Sequence, residues 1–151
     1  MPAIGEKAPP FSLPDQNGKT VQLSDFLGAP VVLFFYPKSF TPGCTQEVCS
    51  FRDQFAVFQD AGAVVLGISD DSIDTQAAFA AQHQLPFLVL SDRKGLVRQQ
   101  YRVPKTLGIL PGRVTYVIDA KGVVQHVFSS QLNVEKHIQE AIQVITKGQN
   151  D

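Results

Sequence analysis

Val31-Val32-Leu33-Phe34-Phe35-Tyr36 is an unbroken apolar run of strand length, and its β-branched and aromatic content fits a strand buried on both faces. Such a strand belongs in the middle of a sheet. The segments that follow agree with that placement. Pro37 to Gly43 is a polar loop, after which Val48, Phe51, Phe55 and Phe58 recur at spacings of three and four, the mark of an amphipathic helix. Val64-Val65-Leu66-Gly67-Ile68 reads as a second buried strand and Ser69 to Gln84 as a helix stopped by Pro86. Phe87-Leu88-Val89-Leu90 is a third strand, followed by a turn at Asp92-Arg93-Lys94-Gly95 and a short helix from Leu96 to Tyr101. Strands that alternate with helices predict parallel pairing.

Upstream, the turn signal Asp15-Gln16-Asn17-Gly18 separates Phe11-Ser12-Leu13 from Thr20-Val21-Gln22-Leu23, which predicts an N-terminal hairpin. A helical turn over Ser24 to Gly28 follows. Downstream, Val114-Thr115-Tyr116-Val117-Ile118 and Val123 to Phe128 flank Asp119-Ala120-Lys121-Gly122, a hairpin connection that makes these two strands antiparallel. Asn133 is a candidate cap for a last helix running to about Thr146, with Val134, Ile138, Ile142 and Ile145 as its apolar stripe and Lys147 to Asp151 as a frayed tail. The expected class is α/β: a mixed central sheet with helices on both faces and an N-terminal β-hairpin extension. No linker or repeat divides the chain, so residues 1–151 are expected to form one domain.

A hydrophobic fraction of 44% and a charged fraction of 18% are those of an ordinary globular protein. The net charge of −1 comes without a basic stripe, which argues against a nucleic-acid partner. No apolar run reaches membrane-spanning length, and the N-terminus lacks a signal pattern, so the expectation is a soluble, cytoplasmic chain, or an organellar one whose targeting peptide has been removed. Two cysteines are too few for a secreted disulfide scaffold or an all-cysteine zinc site. In a reducing compartment, a close pair is more often redox-active or metal-binding than a permanent staple.

Thr41-Pro42 resembles a helix start, because Thr caps well and Pro is favoured at the first helical position. Cys44 then falls in the first turn, where unpartnered N–H groups and the helix dipole favour a thiolate over a thiol. Two arginines are candidates to assist. Arg52 lies on the same helix, about 12 Å from Cys44 by helical rise, too far along to reach the first turn. Arg113 opens a later strand and is better placed. Cys49 sits on the same helix, and in an intact helix its Cα is about 8.7 Å from that of Cys44 and about 140° around the axis. That separation exceeds disulfide reach, so any bond between them requires the first turns to unwind around Pro42 and Gly43. Read alone, each cysteine is equally consistent with an inert buried thiol. A Cys-Cys-His zinc site is a weaker alternative, since His83, His126 and His137 show no ligand spacing to the cysteines.

The segment from Phe35 to Asp53 resembles the peroxiredoxins: Pro37, Thr41 and Cys44 fill the family's Pro-x-x-x-Thr-x-x-Cys motif. Cys49, with Gly43 before Cys44, is similar to the peroxiredoxin Q group, also called bacterioferritin comigratory protein. The likeness extends to Gly112-Arg113-Val114-Thr115-Tyr116-Val117-Ile118-Asp119. The resemblance implies a thioredoxin fold and a thiol peroxidase acting on hydrogen peroxide and organic hydroperoxides without a metal or organic cofactor. It implies Cys44 as the peroxidatic cysteine, oxidised to a sulfenic acid, and Cys49 as the resolving cysteine that closes an intramolecular Cys44–Cys49 disulfide. Thioredoxin or a related dithiol protein is the implied reductant, and the subgroup leans monomeric.

By the same resemblance Thr41 presents its hydroxyl to peroxide and thiolate, Arg113 stabilises the thiolate and orients peroxide, and Pro37 shields the pocket. Glu47 matches a polar pocket position, although a carboxylate so close opposes thiolate formation. Capping for Thr41, loop formation for Pro37 and a solvated surface for Arg113 are the plainer alternatives. Ser39 departs from the expected Asp or Ala and leaves the loop's hydrogen bonding open. The histidines are read as surface or structural groups. A disulfide oxidoreductase without peroxide chemistry, or a noncatalytic domain, remains as a competing class.

Overall fold

A computed structural model describes residues 2–103, 105–106, 110–130 and 133–150. Its organising strand is the apolar run identified above, here β3 (Val31–Phe35), with all five residues buried. Nine strands and five α-helices are present among the described residues. The N-terminal hairpin is β1 (Ser12–Pro14) and β2 (Thr20–Gln22), followed by a 3-10 turn at Leu23–Phe26. After β3 come α1 (Pro42–Asp53), α2 (Phe55–Asp60), β4 (Val64–Ser69), α3 (Ile73–His83), β5 (Leu88–Ser91) and α4 (Leu96–Gln100). A two-residue pair, β6 (Lys105–Thr106) and β7 (Leu110–Pro111), precedes β8 (Val114–Ile118), β9 (Val124–Ser129) and α5 (Val134–Asn150).

The central sheet has the order β5-β4-β3-β8-β9. β3, β4 and β5 are parallel to one another, and β8 runs antiparallel to both β3 and β9. Period-two alternation in β3 divides the core. Val31, Leu33 and Phe35 pack with Phe11, Leu13, Leu23, Val97 and Tyr101 from the N-terminal segment and α4. Val32, Phe34 and Tyr36 pack on the other face with Val48 and Phe51 of α1, Phe58 of α2, Phe79 of α3 and Ile138, Ala141 and Ile145 of α5.

Strand ends and short turns shift by a residue or two, and three points along the longer helices depart further from expectation. The helix through Phe51 and Phe58 breaks at Gln54, where Val57 N–H reaches back to the Gln54 carbonyl at 3.0 Å. The break turns Phe58 onto Phe51 and Phe55 onto Phe87, two targets that one straight stripe would not serve. The next helix begins at Ile73, not Ser69. Ser69 extends the β4–β5 ladder opposite Ser91, and Ser72 is the cap, accepting from Thr75 N–H at 3.1 Å. The last helix runs on to Asn150, into the tail expected to fray. No helix among the described residues is long and apolar enough to cross a membrane.

Gly67 in β4 lies opposite Phe34, and a Cβ at that position would sit 2.8 Å from Phe34 Cζ and 3.2 Å from Tyr36 Cε1. Both rings are fully buried. Gly67→Ala should therefore destabilise the fold by about 1–3 kcal/mol through overpacking, read as a lower urea midpoint with an unchanged slope.

Candidate active site

Cys44 is the third residue of α1. Thr41 precedes the helix in extended conformation (φ −90°, ψ 150°), Pro42 opens it, and Thr45 N–H donates to the Thr41 carbonyl at 2.8 Å. The Thr41 hydroxyl makes no capping bond, contrary to the side-chain cap expected there; it donates to the Lys38 carbonyl at 2.8 Å. The reason lies in the loop, which turns sharply at Phe40, a left-handed residue with φ 65° whose ring meets Phe79 edge-on. Thr41 thus braces the loop, and Pro37, partly buried, begins it.

That loop is held from beneath by a buried polar cluster. Ser39 N–H donates to Asp71 Oδ2 at 2.7 Å, and the Ser39 hydroxyl reaches Gln76 Oε1 at 3.2 Å. Gln76 also accepts from the Tyr36 hydroxyl at 2.7 Å and donates to Ser69 Oγ and the Leu90 carbonyl. Ser39 therefore supplies the loop's anchorage. Its consequence is local: the peptide N–H of Lys38 points at Cys44 Sγ, 3.5 Å away.

The second donor to Cys44 comes from sheet register. Phe35 pairs with Val114 across β3 and β8, so Arg113 emerges beside the start of the loop. Its Nη2 lies 3.4 Å from Cys44 Sγ and its Nη1 2.6 Å from Glu47 Oε1. Cys44, Glu47 and Arg113 are 1%, 0% and 4% exposed. A Cβ on Gly43 would come within 3.2 Å of Arg113 Nη2, so the missing side chain makes room for the guanidinium. A second cation, Arg98 of α4, is buried and donates to the Tyr36 carbonyl at 3.2 Å. Burial lowers the Arg98 pKa against the opposing charges of Asp70, Asp92, Cys44 and Asp71.

Glu47 lies beneath Arg113. Behind it stands His137, fully buried, with Nδ1 3.7 Å from Glu47 Oε2 and 2.8 Å from Thr115 Oγ1. Its Nε2 lies 2.7 Å from the Ser130 carbonyl. Burial pushes the Glu47 carboxyl up to about 7 despite Arg113, and burial pushes His137 down to about 4, aided by the Arg113 charge and opposed by the Ser130 carbonyl. His137 and Thr115 are the members that sequence reading missed. A signal was present: Val134, His137, Ile138, Ala141 and Ile145 share the buried face of α5, so the histidine falls within the inward stripe.

Cys49 occupies a different environment on the same helix. It is partly buried, with Sγ 3.5 Å from His83 Nδ1, a contact the spacing of the histidines did not suggest. Arg52, as expected, does not reach Cys44; its Nη1 donates to the His83 carbonyl at 2.9 Å and ties α1 to the end of α3. Both cysteines are free thiols, and α1 is continuous through them. Among the described residues, no group of three His, Cys, Asp or Glu side chains is placed to hold a metal ion.

The opposed shifts of Glu47 and His137 carry a pH prediction. Glu47 rises from 4.5 when folded, so its contribution is fully present below pH 4.5 and is lost as pH climbs through about 7. His137 falls from 6.5, so its contribution is present above pH 6.5 and is lost as pH drops through about 4. The two slopes oppose each other between about pH 4.5 and 6.5, leaving the joint contribution of the two groups nearly flat there. Glu47→Gln should make stability rise with pH across that window and His137→Gln should make it fall, each on the order of 3 kcal/mol by urea unfolding.

Residues 4–127 match the AhpC/TSA family. The chain is 51% identical over 142 residues to the chloroplastic peroxiredoxin Q of Triticum aestivum and likewise to that of Sedum lineare, each match taking in 93% of this chain. It spans 65% and 76% of those relatives' lengths, respectively. Among solved structures, peroxidoxin BcpB of Mycobacterium tuberculosis superposes with a TM-score of 0.90 at 39% identity, covering 97% of this chain and 98% of that one. The bacterioferritin comigratory protein of Xanthomonas campestris, whose structures are described in connection with alkyl peroxide reduction, gives 0.84 at 26% identity and 91% coverage of both chains. With a mixed five-stranded sheet carrying Cys44 at a helix start beneath Arg113, the chain belongs to the AhpC/TSA family of peroxiredoxins, in the peroxiredoxin Q group.

Proposed function

We propose that the chain, as one domain over residues 1–151, is a thiol peroxidase that reduces hydrogen peroxide and organic hydroperoxides at Cys44. The observation that carries this reading is the convergence of Lys38 N–H and Arg113 Nη2 on a Cys44 sulfur in the first turn of a helix. Those donors favour the thiolate that is needed as nucleophile. The thiolate attacks one peroxide oxygen, the O–O bond breaks, and Cys44 becomes a sulfenic acid while the other oxygen leaves as water or an alcohol. Arg113 keeps peroxide oxygens close to the sulfur and meets the charge that develops as the bond breaks. Thr41, at the loop's end, is assigned to the peroxide's hydrogen bonding and Pro37 to excluding water.

Cys49 is the proposed resolving thiol. In the continuous α1 it is about 8.7 Å from Cys44 between Cα atoms, beyond disulfide reach. Resolution therefore requires α1 to unwind from its N-terminus and to release Cys49 and Arg52 from His83. Cys49 sulfur then attacks Cys44 sulfur and water leaves. Thioredoxin or a similar dithiol protein returns the disulfide to two thiols. A monomer suits a mechanism in which both cysteines lie on one chain, and a cytoplasmic or organellar compartment supplies such reductants.

NADPH oxidation in the presence of thioredoxin and thioredoxin reductase tests the whole cycle. Peroxide-dependent turnover is expected with hydrogen peroxide and with tert-butyl hydroperoxide. Peroxide reduction sustained by a small thiol but never by thioredoxin would remove the assigned reductant, and no reduction with either would remove the peroxidase.

A further inference from the structure

The polar chain behind Arg113 contains an unmatched atom. Glu47 Oε2 is fully enclosed and has no hydrogen-bond partner among the described residues, while Oε1 is taken by Arg113. His137 Nδ1 is 3.7 Å from that free oxygen. The other ring nitrogen, Nε2, faces the Ser130 carbonyl, which can only accept, so Nε2 carries a hydrogen. In a neutral ring Nδ1 is then a lone pair, satisfied by the Thr115 hydroxyl at 2.8 Å. A carboxylate oxygen facing a lone pair in a dry interior is costly, and a proton on either atom removes the conflict.

Charge counting points the same way. A Cys44 thiolate, a Glu47 carboxylate and the Arg113 guanidinium sum to one negative charge in a site almost closed to water. One added proton makes the cluster neutral. Once Cys44 has become an uncharged sulfenic acid, Arg113 and Glu47 balance each other and the added proton is no longer needed. The groups facing Glu47 are Cys44 on its own helix, Arg113 at the start of β8 and His137 on α5. Beyond them, Arg98 of α4 feels the Cys44 charge, and Lys136 lies over the Phe128 ring that packs edge-on against His137.

We propose that Glu47 and His137 form a proton store: the pair holds the proton that Cys44 gives up on ionising and releases it to the leaving oxygen when peroxide is reduced. This rests on the peroxidase reading and extends it. The thiolate sulfur bonds to one peroxide oxygen, the O–O electron pair departs with the second, and that alkoxide or hydroxide takes the stored proton. Sulfur is oxidised by two electrons, peroxide is reduced by two, and no proton is drawn from solution. Burial already raises the Glu47 carboxyl to about 7, and a thiolate charge beside it raises it further until oxidation removes that charge, so the proton is held before the reaction and freed after it.

The test uses the full chain carrying Cys49→Ser, so that resolution does not add or remove protons. Thiolate is measured by its ultraviolet absorbance at about pH 8, above the value of about 7 to which the Glu47 carboxyl returns once Cys44 is uncharged, and the protein is mixed with one equivalent of hydrogen peroxide in weak buffer with an indicator dye. A store predicts uptake well under half a proton per thiolate oxidised, rising to close to one when Glu47→Gln is added. Uptake of one proton per thiolate without the Glu47 change, or no thiolate absorbance at that pH, overturns the store and leaves peroxide reduction standing. Peroxide left unconsumed overturns the peroxidase reading itself. The first measurement does not depend on the Glu47 variant folding.

Discussion

Cys44→Ser should abolish peroxide consumption, whereas Cys49→Ser should consume one peroxide per chain and then stop in the thioredoxin assay. The asymmetry follows from where the two sulfurs sit. Only Cys44 receives Lys38 N–H and the Arg113 guanidinium, and a serine hydroxyl in the same place remains un-ionised and unreactive. Cys49 lies against His83 at the junction with α3, away from those donors. Its loss leaves the first chemical step intact and strands Cys44 as a sulfenic acid, which a dithiol protein expecting a disulfide cannot process at the native rate. Stopped-flow peroxide consumption followed by a sulfenic-acid trap separates the cases. Equal multiple turnover by Cys49→Ser and the native chain would remove Cys49 from the cycle.

Arg113→Met should slow the reaction of Cys44 with hydrogen peroxide by roughly two to three orders of magnitude, the scale associated with losing a preorganised donor to developing charge. It should also cost stability in a pH-dependent way. Glu47 loses the guanidinium at 2.6 Å and, when ionised, is left buried and unpaired, a loss of about 3–5 kcal/mol. Below its raised pKa of about 7 the carboxyl can stay protonated, so the penalty should shrink as the solution is acidified. Arg113→Lys should recover only part of either effect. One ammonium cannot reproduce two guanidinium nitrogens directed separately at Glu47 and Cys44. A full native rate in Arg113→Met would show that Lys38 N–H and the helix start suffice.

Much of this architecture was legible in linear sequence because it depends on local pattern. Val31 to Tyr36 announced the buried central strand, and the alternation with helices fixed the parallel β3-β4-β5 half of the sheet. Asp119 to Gly122 marked the hairpin that makes β8 and β9 antiparallel. Thr41-Pro42-Gly43-Cys44 marked a helix start, and the family likeness directed attention to Arg113. The break at Gln54 was hidden because Phe55 and Phe58 keep helical spacing while packing on different partners. The Thr41 hydroxyl was misread because capping assumes a free side chain, and here the turn at Phe40 offers it the Lys38 carbonyl instead.

The remainder of the site depends on contacts between distant segments. Glu47 meets His137 because α5 crosses α1, and Thr115 completes that contact from β8. Each of the three is unremarkable in its own segment. The same holds for His83, which reaches Cys49 from the end of α3, and for Arg98, which reaches the Tyr36 carbonyl from the opposite face of the sheet. Glu47, read as a pocket residue, is fully buried and meets Arg113 at 2.6 Å, a contact that no local pattern announces.

Mass spectrometry of the native chain after one equivalent of peroxide addresses the central claim most directly. The predicted product has lost two hydrogens and yields a digest fragment in which Cys44 and Cys49 are joined, whereas an unchanged mass, or a stable gain of one oxygen on Cys44 with Cys49 still a free thiol, would contradict it.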